Sequence, residues 1–151
     1  MNEGLQVTGH ISWQLIRNGA VVEHGERDNV ITTVGKNALA ALLISANAGT
    51  TLVTHMGFGT ATTAVAAGDT ALGTELSGGG YARVSVSRSN PSGNVIQYVA
   101  TLTGLSGVTV QEAGLFNAAT GGVLFAHQLT GAVTLSTSSD SLQITWQVTV
   151  S

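Results

Sequence analysis

The chain predicts a mostly β protein, an antiparallel β-sandwich of jelly-roll type with one short α-helix. Three observations carry that expectation. Residues 141–150 alternate almost without a flaw: Leu142, Ile144, Trp146, Val148 and Val150 share one face, and Ser141, Gln143, Thr145, Gln147 and Thr149 the other. A two-residue period marks a strand with one buried face. From Tyr81 onward, short apolar segments recur between Gly-, Ser- and Asn-rich turns, the spacing of sandwiches and jelly rolls. Only one segment carries a clear helical period.

The elements follow in order. Leu5 to Ile16 alternates, with Leu5, Val7, Ile11, Trp13 and Leu15 on one face and an interruption at Gly9. Arg17-Asn18-Gly19 then predicts a hairpin, because Asn-Gly suits the tight primed turn, and Ala20 to His24 is the returning strand. Glu23, Glu26, Arg27 and Asp28 form the densest charge cluster, read as a solvated tip or a contact with a partner. The helix spans about Gly35 to Ala46, with Leu39, Leu42, Leu43 and Ala46 on one face and Asn47-Ala48-Gly49 as its stop. Leu52 to Phe58 is a short strand. Residues 60–80, rich in Thr, Ala and Gly, form a long loop; a connection this long without periodicity is usually functional or an extended arm. Arg83 to Arg88 pairs with Val95 to Leu102 across residues 89–94. Val108 to Phe116, Val123 to Leu129, Val133 to Leu135 and the final strand complete eight or nine strands. No internal repeat of the propeller or solenoid kind is present.

Composition narrows the function. A chain of 151 residues fits one domain spanning 1–151, with residues 1–6 as an N-terminal arm. Charged residues are 9%, against roughly a quarter in ordinary domains, so the surface must be largely neutral and polar and guards poorly against association. Five Lys plus Arg and a net charge of −3 leave nucleic-acid binding without its main electrostatic contribution. No apolar run approaches the roughly 20 residues of a membrane-spanning helix. The chain has no cysteine, which excludes disulfides and thiolate metal sites. Met1-Asn2-Glu3-Gly4 lacks the basic start and apolar core of a signal peptide, so synthesis and assembly in a cytoplasm are expected.

Two stretches resemble virion proteins of tailed bacteriophages. Met56-Gly57-Phe58-Gly59-Thr60 through Gly68-Asp69-Thr70-Ala71-Leu72-Gly73-Thr74-Glu75, followed by Arg83, is similar to a segment common in tail-fibre-like and capsid-decoration-like proteins. Glu112-Ala113-Gly114-Leu115-Phe116-Asn117, followed by Gly122-Val123-Leu124-Phe125-Ala126, resembles a strand-turn-strand of the same proteins. Val34-Gly35-Lys36-Asn37-Ala38-Leu39 is also similar to their helix region. Together these cover about residues 30 to 150. The resemblance implies a virion structural module and does not separate capsid from tail. The module is expected to stand free of a fibre shaft, which would make it more like a decoration or cement protein.

Little in the chain points to chemistry. His10, His24, His55 and His127 lack the i,i+4 or His-carboxylate spacing of a metal site, although strands that converge in space, or a trimer axis, could still gather them. No Gly-x-Ser-x-Gly elbow occurs, and Gly78-Gly79-Gly80 lacks the Lys and helix of a phosphate loop. Glu112 borders an apolar run, and Arg83 is its expected partner, because both belong to the resembling motifs; a structural ion pair or a shared buried polar network is favoured over catalysis, since a buried unpaired charge is strongly destabilising.

No catalytic, metal or cofactor-binding residue is therefore assigned. The resemblance implies a non-enzymatic capsid decoration or cement protein on the capsid surface. It would stabilise the assembled shell by bridging subunits of the major capsid protein, and would act as a homo-oligomer, dimer or trimer, without nucleic acid or membrane. Leu5, Gln6, Thr60, Thr62, Thr63, Asp69 and Thr70 are the candidates for partner contact. The alternative is a tail-fibre or receptor-binding component that recognises the host surface. A third reading is a small hydrolase or glycan binder; aromatic residues are only 5%, and Trp13 and Trp146 lie on apolar faces, where core packing is their expected use.

Overall fold

The computed structural model describes residues 6–44 and 53–151. These form β1 (Val7–Arg17), β2 (Ala20–Ile31), α1 (Thr33–Ile44), β3 (His55–Gly59), β4 (Val84–Ser85), β5 (Ser87–Ser92), β6 (Val95–Leu102), β7 (Val108–Phe116), β8 (Leu124–Leu135) and β9 (Ser141–Val150). The protein is mostly β, with antiparallel pairing throughout and one helix among the described residues.

The nine strands join in the order β4-β3-β7-β8-β2-β1-β9-β6-β5. Its two ends, β4 and β5, are separated in the chain by Val86 alone, whose N–H donates to the Thr54 carbonyl at 3.0 Å. The sheet is therefore nearly closed as a barrel. Strand β2 crosses between its two halves: Ala20 to Asn29 pair with β1, and Val30 and Ile31 with β8.

The alternation of β9 sets the core. Leu142, Ile144 and Trp146 are fully buried and pack with Ile11, Trp13 and Leu15 of β1, Tyr98, Ala100 and Leu102 of β6, and Phe58, Leu115 and Val133 from the other half. The indole N–H of Trp146 donates to Asn29 Oδ1 at 2.8 Å. That amide explains the break in the β1 pattern at Gly9. A Cβ there would lie 2.0 Å from Asn29 Oδ1, so only glycine leaves room for the group that satisfies the buried indole.

Local signals place the remaining elements. Asn18 (φ 51°) and Gly19 (φ 76°) both take positive φ, as the primed hairpin turn between β1 and β2 demands. The Thr32 hydroxyl accepts from the Gly35 N–H at 3.0 Å and donates to the Leu124 carbonyl. This N-cap starts the helix two residues before the expected Gly35. Leu39 and Leu42 are half-buried; the side chain of Leu43, as well as Ala46 and the Asn47–Gly49 stop, lie outside the described residues.

Several expected boundaries move. Strand β2 runs on to Ile31, so Glu23, Glu26, Arg27 and Asp28 lie along a strand and not at a tip. The segments 123–129 and 133–135 form one strand, β8, passing through Gly131 at φ 72°. The segment 83–88 divides into β4 and the start of β5, because Val86 turns the chain from one end of the sheet to the other.

Candidate functional site

The motif residues meet on the outer face of β3, β7 and β8. Glu112 and Gly114 of β7 alternate with core residues Ala113 and Leu115. Register sets Gly59 opposite Glu112, Gly57 opposite Gly114, and His127 of β8 on the other side of Gly114. An outer face is normally wet, but here Glu112 and His127 are buried, because residues 60–80 lie across it.

Glu112 fastens that segment. Its Oε1 accepts from the Thr74 N–H at 2.7 Å and the Ala61 N–H at 3.3 Å, and its Oε2 from the Gly73 N–H at 3.0 Å. Oε2 also lies 2.7 Å from His127 Nε2, and His127 Nδ1 lies 2.8 Å from Asp69 Oδ2. Asp69 in turn accepts from the Ala66 N–H at 2.8 Å. Both ring nitrogens thus face carboxylate oxygens, and both bonds are complete when the imidazole carries both protons. Burial works against the Asp69 charge, but the Ala66 N–H and His127 outweigh it and hold the carboxyl below its ordinary value.

A second cluster flanks the first. Arg83 grips Glu75 with a bidentate fork, Nε to Oε1 at 2.7 Å and Nη2 to Oε2 at 2.9 Å. Its Nη1 donates to the carbonyls of Ala118 and Gly121 at 3.1 and 2.7 Å, and its guanidinium lies over the Phe116 ring. The Arg83 fork holds the Glu75 carboxyl below the usual range. The Tyr81 hydroxyl donates to Glu75 Oε1 and accepts from the Phe58 N–H, both at 3.0 Å; burial pushes the Tyr81 phenol well up. Between the clusters, Leu72 is buried with Phe116 and Leu124.

The glycines of the motif make the groove. A Cβ on Gly59 would lie 2.3 Å from Glu112 Oε1, and one on Gly114 2.6 Å from a Leu124 methyl. Side chains there would lift the segment off the sheet.

The expected Arg83–Glu112 pair is not formed. Glu112 is filled by its three amides and His127, while Arg83 is drawn to Glu75, eight residues earlier. The two belong to neighbouring networks joined through the Thr74–Glu75 peptide. Among the contact candidates, Thr62, Thr63 and Thr70 are exposed, Thr60 is half-buried, and Asp69 spends its carboxylate inside the chain. Gln6 is exposed and paired with Ser151; Leu5 and the rest of the arm lie outside the described residues. The residues that sequence reasoning missed are His127 and Glu75. Glu75 stood in the quoted motif beside Arg83. His127 gave no local signal, since only the β7–β8 register brings it to Glu112.

The groups of the site that can exchange protons are engaged in hydrogen bonds within the chain. Among the described residues no buried side-chain nitrogen or oxygen lacks a hydrogen-bond partner, and no group of three or more His, Cys, Asp or Glu is placed to hold a metal ion. No helix among them is long and apolar enough to cross a membrane. Comparison with known proteins finds no matching family model, curated protein or solved structure.

Proposed function

We propose that this chain is a non-enzymatic virion structural protein of a tailed bacteriophage, a capsid decoration or cement protein that bridges subunits of the major capsid protein. One observation carries the reading: the long Thr- and Gly-rich segment is fastened to the sheet by Glu112, His127 and Asp69. It therefore offers Thr62, Thr63 and Thr70 on a preorganised, charge-poor surface. Preorganisation lowers the ordering cost of a broad polar contact, and a charge-poor surface favours assembly over isolation. The nearly closed sheet, whose halves share β2, serves as the platform; we read these halves as the sandwich of jelly-roll type that such modules use.

The mechanism is additive. Each copy covers a junction between shell subunits and binds the assembled lattice better than free subunits, so it stabilises the shell by mass action. The test is to add purified protein to preformed shells that lack it. Saturable, stoichiometric binding and a higher rupture temperature support the proposal. Unchanged shell robustness, with the protein located at tail tips, replaces it with the tail-fibre alternative.

A further inference from the structure

Both formal ends of the sheet are blunted. Strand β4 has two residues. Strand β5 has a break in register between Ser89 and Ser92 and carries Pro91, which has no N–H to offer a neighbour. The long open edge lies elsewhere. Strand β2 pairs with β8 only at Val30 and Ile31. From Ala20 to Arg27 its second edge has no strand partner among the described residues, whereas the Asp28 carbonyl accepts from the Gln128 side chain of β8; residues Ala20 to Asp28 are exposed apart from half-buried Gly25. The register with β1 shifts near the turn, between Leu15 and Ile16, leaving Glu23 to Arg27 as a regular open run. That run is comparable to the mean strand length of about 5–6 residues. The two large hydrophobic side chains most exposed among the described residues, Val21 and Val22, sit at its end.

From this edge we infer a homodimer in which β2 of one copy pairs antiparallel with β2 of a second copy, Gly25 facing Gly25 across the twofold axis. The charges select this partner. In that register Glu23 lies opposite Arg27 of the second copy, His24 opposite its Glu26, and each contact occurs twice by symmetry. Cross-strand pairs of opposite charge stabilise a sheet, and like charges directly opposite destabilise it. Backbone N–H groups point outward at every second residue, so only registers displaced by whole two-residue steps compete. A step one way sets Arg27 against Val21 and Glu26 against Val22, with no ion pair. A step the other way sets Glu26 against Glu26 on the axis. Charges on an edge normally keep strangers away; this arrangement repels them and admits a copy of itself. Gly25 suits the axis from inside as well: the Trp13 indole fills its inner face, and a Cβ would lie 2.1 Å from Trp13 Cζ2. The charge cluster of β2, which the proposed shell contact leaves unused, thereby gains a role.

Analytical ultracentrifugation of the purified protein, without shells, tests the dimer independently of any capsid role. The wild type should sediment as a dimer at high micromolar concentration. Glu23→Arg converts two attractive pairs into two repulsive ones and should weaken dimerisation roughly tenfold or more. Arg27→Glu should do the same. An equimolar mixture of these two variants should recover the dimer, because each supplies the charges the other lacks. Circular dichroism checks that each variant is folded. The Arg27 guanidinium lies 5.9 Å from the centroid of the Trp13 ring; should Arg27→Glu unfold through loss of that contact, His24→Glu, which sets two carboxylates opposite one another, takes its place, with Glu26→Lys as its complement in the mixture. A monomeric wild type, a trimer, or a dimer indifferent to these charges overturns the inference.

Discussion

The guanidinium of Arg83 lies 3.5 Å from the centroid of the Phe116 ring while its fork holds both oxygens of Glu75. One side chain thus clamps the end of the motif segment to β7 by charge, hydrogen bonding and cation–π contact. Lysine keeps the charge but lacks the planar fork. Arg83→Lys should therefore lower the melting temperature almost as much as Arg83→Ala. In a double-mutant cycle, Arg83 and Glu75 should show a coupling of about 0.5–3 kcal/mol, whereas Arg83 and Glu112 should add nearly independently. Equal coupling for both pairs would contradict the separate networks.

Glu112 makes a sharper prediction because it acts on backbone. Glu112→Ala leaves three amides and His127 without their acceptor. Removing one partner of a buried charged network costs about 3–5 kcal/mol. Hydrogen exchange should accelerate first at Ala61, Gly73 and Thr74, before the amides of β9 respond. Uniform acceleration through the whole sheet would mean that the segment does not open as a separate unit.

Acid should loosen the same region. Asp69 and Glu75 both titrate below their ordinary values in the fold. Asp140 does as well, held down by Arg17 at 2.8 Å. A lowered folded value means that the stabilising contribution is whole above the unfolded carboxylate range, about pH 4, and is lost as pH falls through the folded value. Stability measured by denaturant titration should drop as pH falls below about 4. Asp69→Asn should start lower and fall less steeply; a slope identical to that of the wild type would remove Asp69 from the account.

Trp146→Ala tests the core. The indole is fully buried and hydrogen-bonded to Asn29, and truncating a buried aromatic costs about 3–5 kcal/mol. The melting temperature should fall by many degrees, and Asn29→Ala should reproduce a minor part of that loss. A small effect of Trp146→Ala would place the core elsewhere.

What could be read from the sequence was what local chemistry determines. Alternation revealed β9, Asn18-Gly19 revealed the first hairpin, and the spacing of Leu39 and Leu42 revealed the helix. The segment 60–80 looked structureless because its amides bond to the side chain of Glu112 and leave no periodic trace. Shared motif membership points Arg83 to Glu112, but the acid nearer in sequence, Glu75, takes its fork. The pairing of His127 depends on the register between β7 and β8, which no window of sequence contains. Charged residues on a strand resemble a turn, so the sequence pattern shows only the start of β2, and only an open edge makes the rest of that strand intelligible.

The place of β9 between β1 and β6 has a consequence for how the molecule comes into being. Ser12 of β1 meets Thr145 across a separation of 133 residues. A chain emerging from the ribosome therefore holds β1 and β6 ready with nothing to stand between them until β9 has cleared the exit tunnel. Pairings so distant in sequence close slowly. Until then the apolar faces of β1 and β6 remain open to chaperones and to sister chains. Closure of this sheet waits for the synthesis of β9.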